Sequence, residues 1–184
     1  MKGEIRMFQK VLKGILIAAY VIAMTYAWSW YESNSMSARY YQDALRKFNN
    51  GDYISALKGE EFEKEDKSGY YFSGGFQQVV QIWEHPFACP RPDEYKLAGE
   101  KINEIIDEKI TIEMGMEMFN RYFRQDNFYL GRVLLKTGER YYEKGEQDKA
   151  MDTYRMAREI FVLNEDIVKE ADEKIMEIMA QMKQ

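Results

Sequence analysis

The chain has 184 residues, with 26 Lys and Arg against 31 Asp and Glu, 14 Tyr, 10 Phe, 3 Trp, one histidine and one cysteine. The acidic balance argues against nucleic acid as a partner, because phosphate-backbone binding depends on neutralising phosphates. Such aromatic content is not that of a disordered chain, and the lone Cys89 excludes an intrachain disulfide.

Residues 14–31, GILIAAYVIAMTYAWSWY, pass without a formal charge. As a helix rising about 1.5 Å per residue they cover roughly 27 Å, close to the approximately 30 Å hydrocarbon core of a bilayer, and Val11 and Leu12 extend the run. Lys13 at the near end, and Trp28, Trp30 and Tyr31 at the far end, are side chains that suit the two headgroup boundaries. A transmembrane helix over 14–31 is expected. The run exceeds the about 7–15 apolar residues of a signal peptide, ends in bulky rings and lacks an adjoining A-x-A site, so retention as an anchor is expected despite the small Ser35, Ser37 and Ala38. No cysteine follows closely, which argues against a bacterial lipoprotein.

Lys2, Arg6, Lys10 and Lys13 precede the span, whereas Arg39 is the one basic residue in the fourteen after it. The positive-inside rule then leaves 1–13 as a cytoplasmic stub and 32–184 outside, in the periplasm or an equivalent compartment. Beyond residue 31 the chain holds 22 basic and 30 acidic groups. Gly14, Ala18, Ala19 and Ala23 make a small-residue side against which another transmembrane helix could pack.

Residues 33–37 read as a short polar link. From Ala38 the pattern turns helical, breaks at Asn50-Gly51, and resumes through Leu57 as a second helix. The stretch 59–68, GEEFEKEDKS, is too charged for a buried helix and reads as a solvated helix end or loop. Phe76 to Trp83 reads as a short helix with one apolar side. All three prolines fall in 85–92, HPFACPRP, which forbids a regular helix. Asp93 can then cap a helix to about 109, with Tyr95, Leu97, Ala98, Ile102, Ile105 and Ile106 on one face.

Residues 110–119 alternate as a strand does at Ile110, Ile112, Met114, Met116 and Met118, yet Ile112, Met116, Phe119 and Phe123 keep helical spacing; the helical neighbours decide for helix. Asp126 is expected to open a long helix through Lys144, followed by a turn at Gly145 and a second helix to Ile160. A last helix from Asn164 would face Val168, Ala171, Ile175, Ile178 and Met182 inward, with a polar back.

At 131–160 the chain resembles the tetratricopeptide repeat, a helix-turn-helix unit of 34 residues that stacks into a solenoid. Leu134 stands at the family's first large apolar position, and Gly138, Tyr141, Gly145, Ala150, Tyr154 and Ala157 follow at the family spacing, although Val162 replaces the closing proline. An earlier copy over 37–60 matches at Tyr40, Ala44, Gly51, Tyr53 and Ala56, but Lys47 and Glu60 stand where apolar residues belong. Both copies carry an aromatic three residues before the turn glycine, Phe48 and Tyr142, and an alanine five residues after it. The two glycines are 94 residues apart, not a multiple of 34, so intervening units must be degenerate or carry insertions. The resemblance implies an all-α solenoid whose concave groove binds proteins.

Reactive chemistry is thinly represented. His85 and Cys89 share a loop, but zinc needs three or four protein ligands and no second His or Cys exists. Met114, Met116 and Met118 could offer thioethers to Cu(I), yet they fan around a helix and read as packing residues. Glu100, Glu104, Asp107 and Glu108 lack the Glu-x-x-His pairs of di-iron bundles. No nucleophile motif accompanies His85, and the haem-attachment sequence C-x-x-C-H is absent. Cys89 is expected as a buried thiol. No cofactor, metal or enzymatic activity is expected. The reading is a single-pass, membrane-anchored adaptor or accessory subunit for other membrane or extracytoplasmic proteins. Its alternatives are a non-catalytic subunit of a redox or energy-converting membrane complex, with the proline-rich loop inserted into a partner, and a periplasmic chaperone or assembly factor.

Overall fold

A computed structural model describes residues 2–66 and 69–182, and for residues 2–8 and 11 the backbone alone. Met1, Lys67, Ser68 and the side chains of Lys2, Arg6 and Val11 lie outside the described residues. The chain is mostly helical, and its first element, α1, runs unbroken over Lys2–Asn49. Forty-eight residues at 1.5 Å each make it about 72 Å long. From Leu12 onward it is long and apolar enough to cross a membrane, and none of its most apolar window is buried against the rest of the chain.

The polar link expected at 33–37 does not form. Ser33, Asn34, Ser35 and Ser37 each cost a fraction of a kcal/mol relative to alanine in a helix, about 0.5 or so, whereas breaking and renucleating would cost more, and neither Gly nor Pro intervenes. The Ser37 hydroxyl donates to the Asn34 carbonyl at 3.1 Å, and Ser37 is fully buried. What stops α1 is Gly51, at φ +79°, with the Asp52 amide donating back to the Lys47 carbonyl at 3.0 Å.

Asp52 then caps α2, Tyr53–Lys58, by accepting from the Ser55 amide at 3.1 Å. This helix is six residues long, and the earlier repeat copy goes no further. Gly59, at φ +82°, turns the chain into a two-stranded antiparallel hairpin, β1 Glu60–Glu63 and β2 Tyr70–Ser73, where a solvated loop was expected. β1 alone has one apolar residue; its pairing becomes favourable because β2 supplies Tyr71, stacked on Phe62 at 5.5 Å, and Phe72, edge-on to the buried Tyr122 at 5.2 Å. The two residues that misfit the repeat, Lys47 and Glu60, pair with each other at 3.3 Å, and the Lys47 ammonium also donates to the Gly74 carbonyl.

α3 spans Phe76–Trp83, and after the proline-rich loop α4 covers Asp93–Glu104, continued by a π-helical turn Ile105–Lys109. Pro92, not Asp93, occupies the cap position, and Leu97 is exposed while Ala98, Ile102, Ile105 and Ile106 are buried. α5, Ile112–Tyr122, is the helix chosen over a strand, capped by Thr111 accepting from the Met114 amide at 3.2 Å. α6 starts later than expected: Asp126 stays in a loop, Tyr129 adopts a left-handed φ of 62°, and the helix covers Leu130–Glu143. α7, Gln147–Ile160, and α8, Glu165–Gln181, follow, the latter capped by Asn164. On α8, Ile167, Ala171, Ile175 and Ile178 are buried and Val168 is half-buried, but Met182, on the same face just past the helix end, is exposed, and Met176 and Met179 put apolar side chains on the outer side where a polar one was expected.

Glycines mark the helix crossings. A Cβ on Gly115 of α5 would strike the Thr137 side chain of α6, one on Gly138 of α6 would lie 2.6 Å from the Tyr154 ring of α7, and one on Gly131 would meet Ile167 of α8 at 3.0 Å. One cluster of buried residues joins the domain end of α1 to α2, α3, α4, the π turn, α5 and the start of α6; a second joins the rest of α6 to α7 and α8. Gly138→Ala should therefore destabilise the protein by about 1–3 kcal/mol through overpacking against Tyr154. Gly99→Ala, where a Cβ meets nothing within 4 Å, should stabilise it by about 0.5–1 kcal/mol through helix propensity. Chemical denaturation of both variants checks the pair.

Candidate functional site

Three places bring together side chains from distant parts of the chain. The first is a groove between the π turn, α6 and α8, enclosing about 240 Å³ over a floor of Ile106, Leu135 and Tyr154. Its walls carry three cations, Arg132, Lys136 and Lys174, and three anions, Asp107, Glu139 and Glu170. Most pair internally: Arg132 lies 3.7 Å from Asp107, and Lys136 lies 2.5 Å from Glu139. The Lys136 ammonium bonded to Glu139 holds that carboxyl below the usual carboxylate range, and burial pushes the Tyr154 hydroxyl well above the ordinary tyrosine value. Neither group is poised near neutrality for proton transfer. An apolar floor between charged walls instead suits a peptide or helix that presents both signs of charge.

The repeat residues build this region from behind. Leu134, Gly138, Ala150, Tyr154 and Ala157 are buried where α6 crosses α7, Tyr141 packs half-buried beside them, and Gly145 turns the chain at φ +78°. In the earlier copy Ala44 and Ala56 are fully buried, Tyr40 and Tyr53 pack on the first core cluster, and Gly51 makes the turn.

The second place is a buried cation. Lys58 is fully buried at the end of α2; its ammonium donates to Gln77 Oε1 at 2.9 Å, to the Asp126 carbonyl at 3.1 Å and to the Phe128 carbonyl at 2.5 Å, with Asp126 Oδ2 at 3.5 Å. Gln77 Nε2 completes the ring by donating to Asp126 Oδ2 at 2.6 Å. Burial pulls the Lys58 pKa down to about 8, against the opposing pull of Asp126. The network ties α2 and α3 to the loop before α6, and it explains why Asp126 is held out of the helix. A lysine after Leu57 carries no local signal of such a role; only the fold reveals it.

The third place is where the proline-rich loop folds back onto α1. The Tyr26 hydroxyl sits among the Phe87 and Cys89 carbonyls, 2.9 Å from the former, and the Trp30 indole donates to the Pro90 carbonyl at 2.8 Å. Trp30 also meets buried Trp83 edge-on at 6.1 Å. Of the expected boundary residues, Trp28 and Tyr31 point outward and Lys13 is exposed, while Trp30 turns to the loop. Cys89 is exposed, which corrects the expectation of a buried thiol: the loop hugs α1 through its carbonyls and leaves the side chain outside. The Trp83 indole N–H is buried without a partner.

No protein-family model, curated protein or solved structure matches this chain. Its sites are read from geometry alone. Among the described residues, no group of three or more His, Cys, Asp and Glu is placed to hold a metal ion. Glu100, Glu104, Asp107 and Glu108 are each drawn to a cation: Glu100 to Lys96, Glu104 to Lys101 at 2.7 Å, Asp107 to Arg132 and Glu108 to Lys109. Met118 is fully buried and Met114 packs against the core.

Lys58→Met removes one member of a buried pair and should cost about 3 kcal/mol, the low end of the usual range because Asp126 keeps some exposure. Because the folded pKa of Lys58 lies below its unfolded value of 10.5, the unfolded state binds more protons between these values. Unfolding free energy of the native chain should therefore rise from about pH 8 to 10 relative to that of the variant, as parallel denaturation series in detergent would measure.

Proposed function

We propose that the chain is a single-pass, membrane-anchored adaptor or accessory subunit, with its N-terminus in the cytoplasm and a tetratricopeptide-like helical domain outside, in the periplasm or its equivalent. The observation that carries this reading is the charge-walled groove of α6, α8 and the π turn, on a domain fused without a break to a helix apolar enough to cross a membrane. The close approach of Gly138 to Tyr154, at the family spacing, supports the repeat assignment of α6 and α7. The excess of basic residues before the span supports the orientation.

The anchor gives the groove its advantage. Confinement to a plane raises the effective concentration toward a partner held in that plane, so a groove of modest intrinsic affinity suffices. The partner is another membrane or extracytoplasmic protein, and the small side of the span, Gly14, Ala18, Ala19 and Ala23, offers a second contact for its transmembrane helix.

The intact chain, cross-linked in membranes and extracted in mild detergent, should migrate with a larger assembly. Lys136→Ala combined with Lys174→Ala should lower that recovery several-fold while leaving the helical circular dichroism unchanged, since these ion pairs lie within single helices and reach solvent, where such pairs contribute only about 0–1 kcal/mol each to stability. Recovery of the cross-linked native chain as an isolated monomer overturns the adaptor reading.

A further inference from the structure

The proline-rich loop satisfies much of its backbone within the protein. Residues 85–90, HPFACP, carry no Asp, Glu, Lys or Arg. Hydrocarbon tolerates backbone only where its polar groups find partners within the protein. Here Pro86 and Pro90 have no amide hydrogen, and each remaining amide from Phe87 on is partnered. Phe87 donates to His85 Nδ1 at 3.3 Å, Ala88 to the His85 carbonyl at 2.9 Å, and Cys89 to the Phe87 carbonyl at 3.0 Å. The Phe87 carbonyl accepts from the Cys89 amide, the single proton of the Tyr26 hydroxyl is left for the Cys89 carbonyl or shared with Phe87, and the Trp30 indole donates to the Pro90 carbonyl. Arg91, where charge resumes, turns back into the domain, donating to the Trp83 carbonyl at 3.0 Å and lying 4.8 Å over the Tyr95 ring.

The depth of the loop follows from its partners on α1. Tyr26 lies five residues before Tyr31, the last uncharged position of the run, and so about 7 Å inside its end. At that level Phe87 is 76% exposed. An exposed phenylalanine at this depth along the span is favourable in an acyl layer, where interfacial elements sit about 5–10 Å deep.

We propose that the loop 85–90 is a second contact with the lipid bilayer, seated between headgroups and acyl chains on the domain's side with Phe87 in the apolar layer. Resting on the membrane-anchor reading, this contact lays the helical domain against the surface and fixes the direction in which the groove of α6 and α8 faces. The span alone could tilt in the bilayer and carry the rigidly attached domain with it; a second contact restricts that tilt.

The test uses the full chain in phosphatidylcholine nanodiscs, on a Cys89→Ala background, with a nitroxide attached at Phe87→Cys, at Ile22→Cys within the span, or at Leu163→Cys, a fully exposed position in the turn between α7 and α8. Collision with oxygen, which partitions into lipid, is compared with collision with a water-soluble nickel chelate. The ratio of oxygen to nickel accessibility at position 87 should be several-fold higher than at 163 and approach that at 22. A lipid-exposed 22 with a water-exposed 87 overturns the loop contact and leaves the anchor standing. Low access to both reagents at 87 means protein covers it and likewise overturns the proposal. A water-exposed 22 sinks both readings.

Discussion

The continuity of α1 through residues 33–37 is the constraint on which the other arrangements depend. A helix without a hinge fixes the phase of every side chain along it, and one face then serves two purposes. Tyr26 and Trp30 bind the proline-rich loop, while Ser37, Tyr41, Ala44 and Phe48 on the same side enter or flank the core with α2 and α3. The spacing between them, close to four, seven, four, three and four residues, follows the helical turn. An inserted or deleted residue in the connecting stretch would rotate one set by about 100° and separate the loop from the domain that carries it.

The domain is joined across its middle by polar contacts as well as by the apolar Leu130 and Val133 of α6, which enter the first core cluster. Lys58 at the end of a six-residue helix would be an error in an ordinary core, yet with Gln77, Asp126 and the Phe128 carbonyl it fastens the short α2 and α3 to the loop leading into α6. Lys47 and Glu60 play a smaller version of the part between α1 and β1. Both pairs sit where the earlier helical unit is cut short and replaced by a hairpin. Breaking the buried Lys58 pair is costly even though forming it contributes little net stability, whereas Glu60 is more than half exposed and its pair with Lys47 is worth less.

From α5 onward, packing follows the simpler rule of small residue against large. Gly115, Gly138 and Gly131 let three successive neighbours approach α6, and that closeness sets the width of the groove whose walls are α6, α8 and the π turn. The alternating charges lie on the open side, and the buried Tyr154 forms part of the floor. In the proposed membrane setting, loop and span together set the groove's attitude to the bilayer.

The helical content, the apolar first helix, the turns at Gly51 and Gly145, and the start of the last helix at Asn164 were legible in the sequence, because each depends on neighbours within about one helical turn; the cap at Thr111 was not read there. The hairpin was not, since β1 becomes a strand only by pairing with aromatics ten residues away. Nor were the buried Lys58, the exposed Cys89 or the outward Met176 and Met179, for burial of a given side chain depends on which distant elements arrive against it. The break expected at 33–37 failed for the same reason in reverse: polar composition there is neutral toward helix and loop, and the buried Ser37, packed by the domain, decides for helix. Local chemistry thus determined which segments coil and where they stop, whereas the assembled loop, groove and cation node arise only when tertiary packing brings residues from separate elements to within a few ångströms.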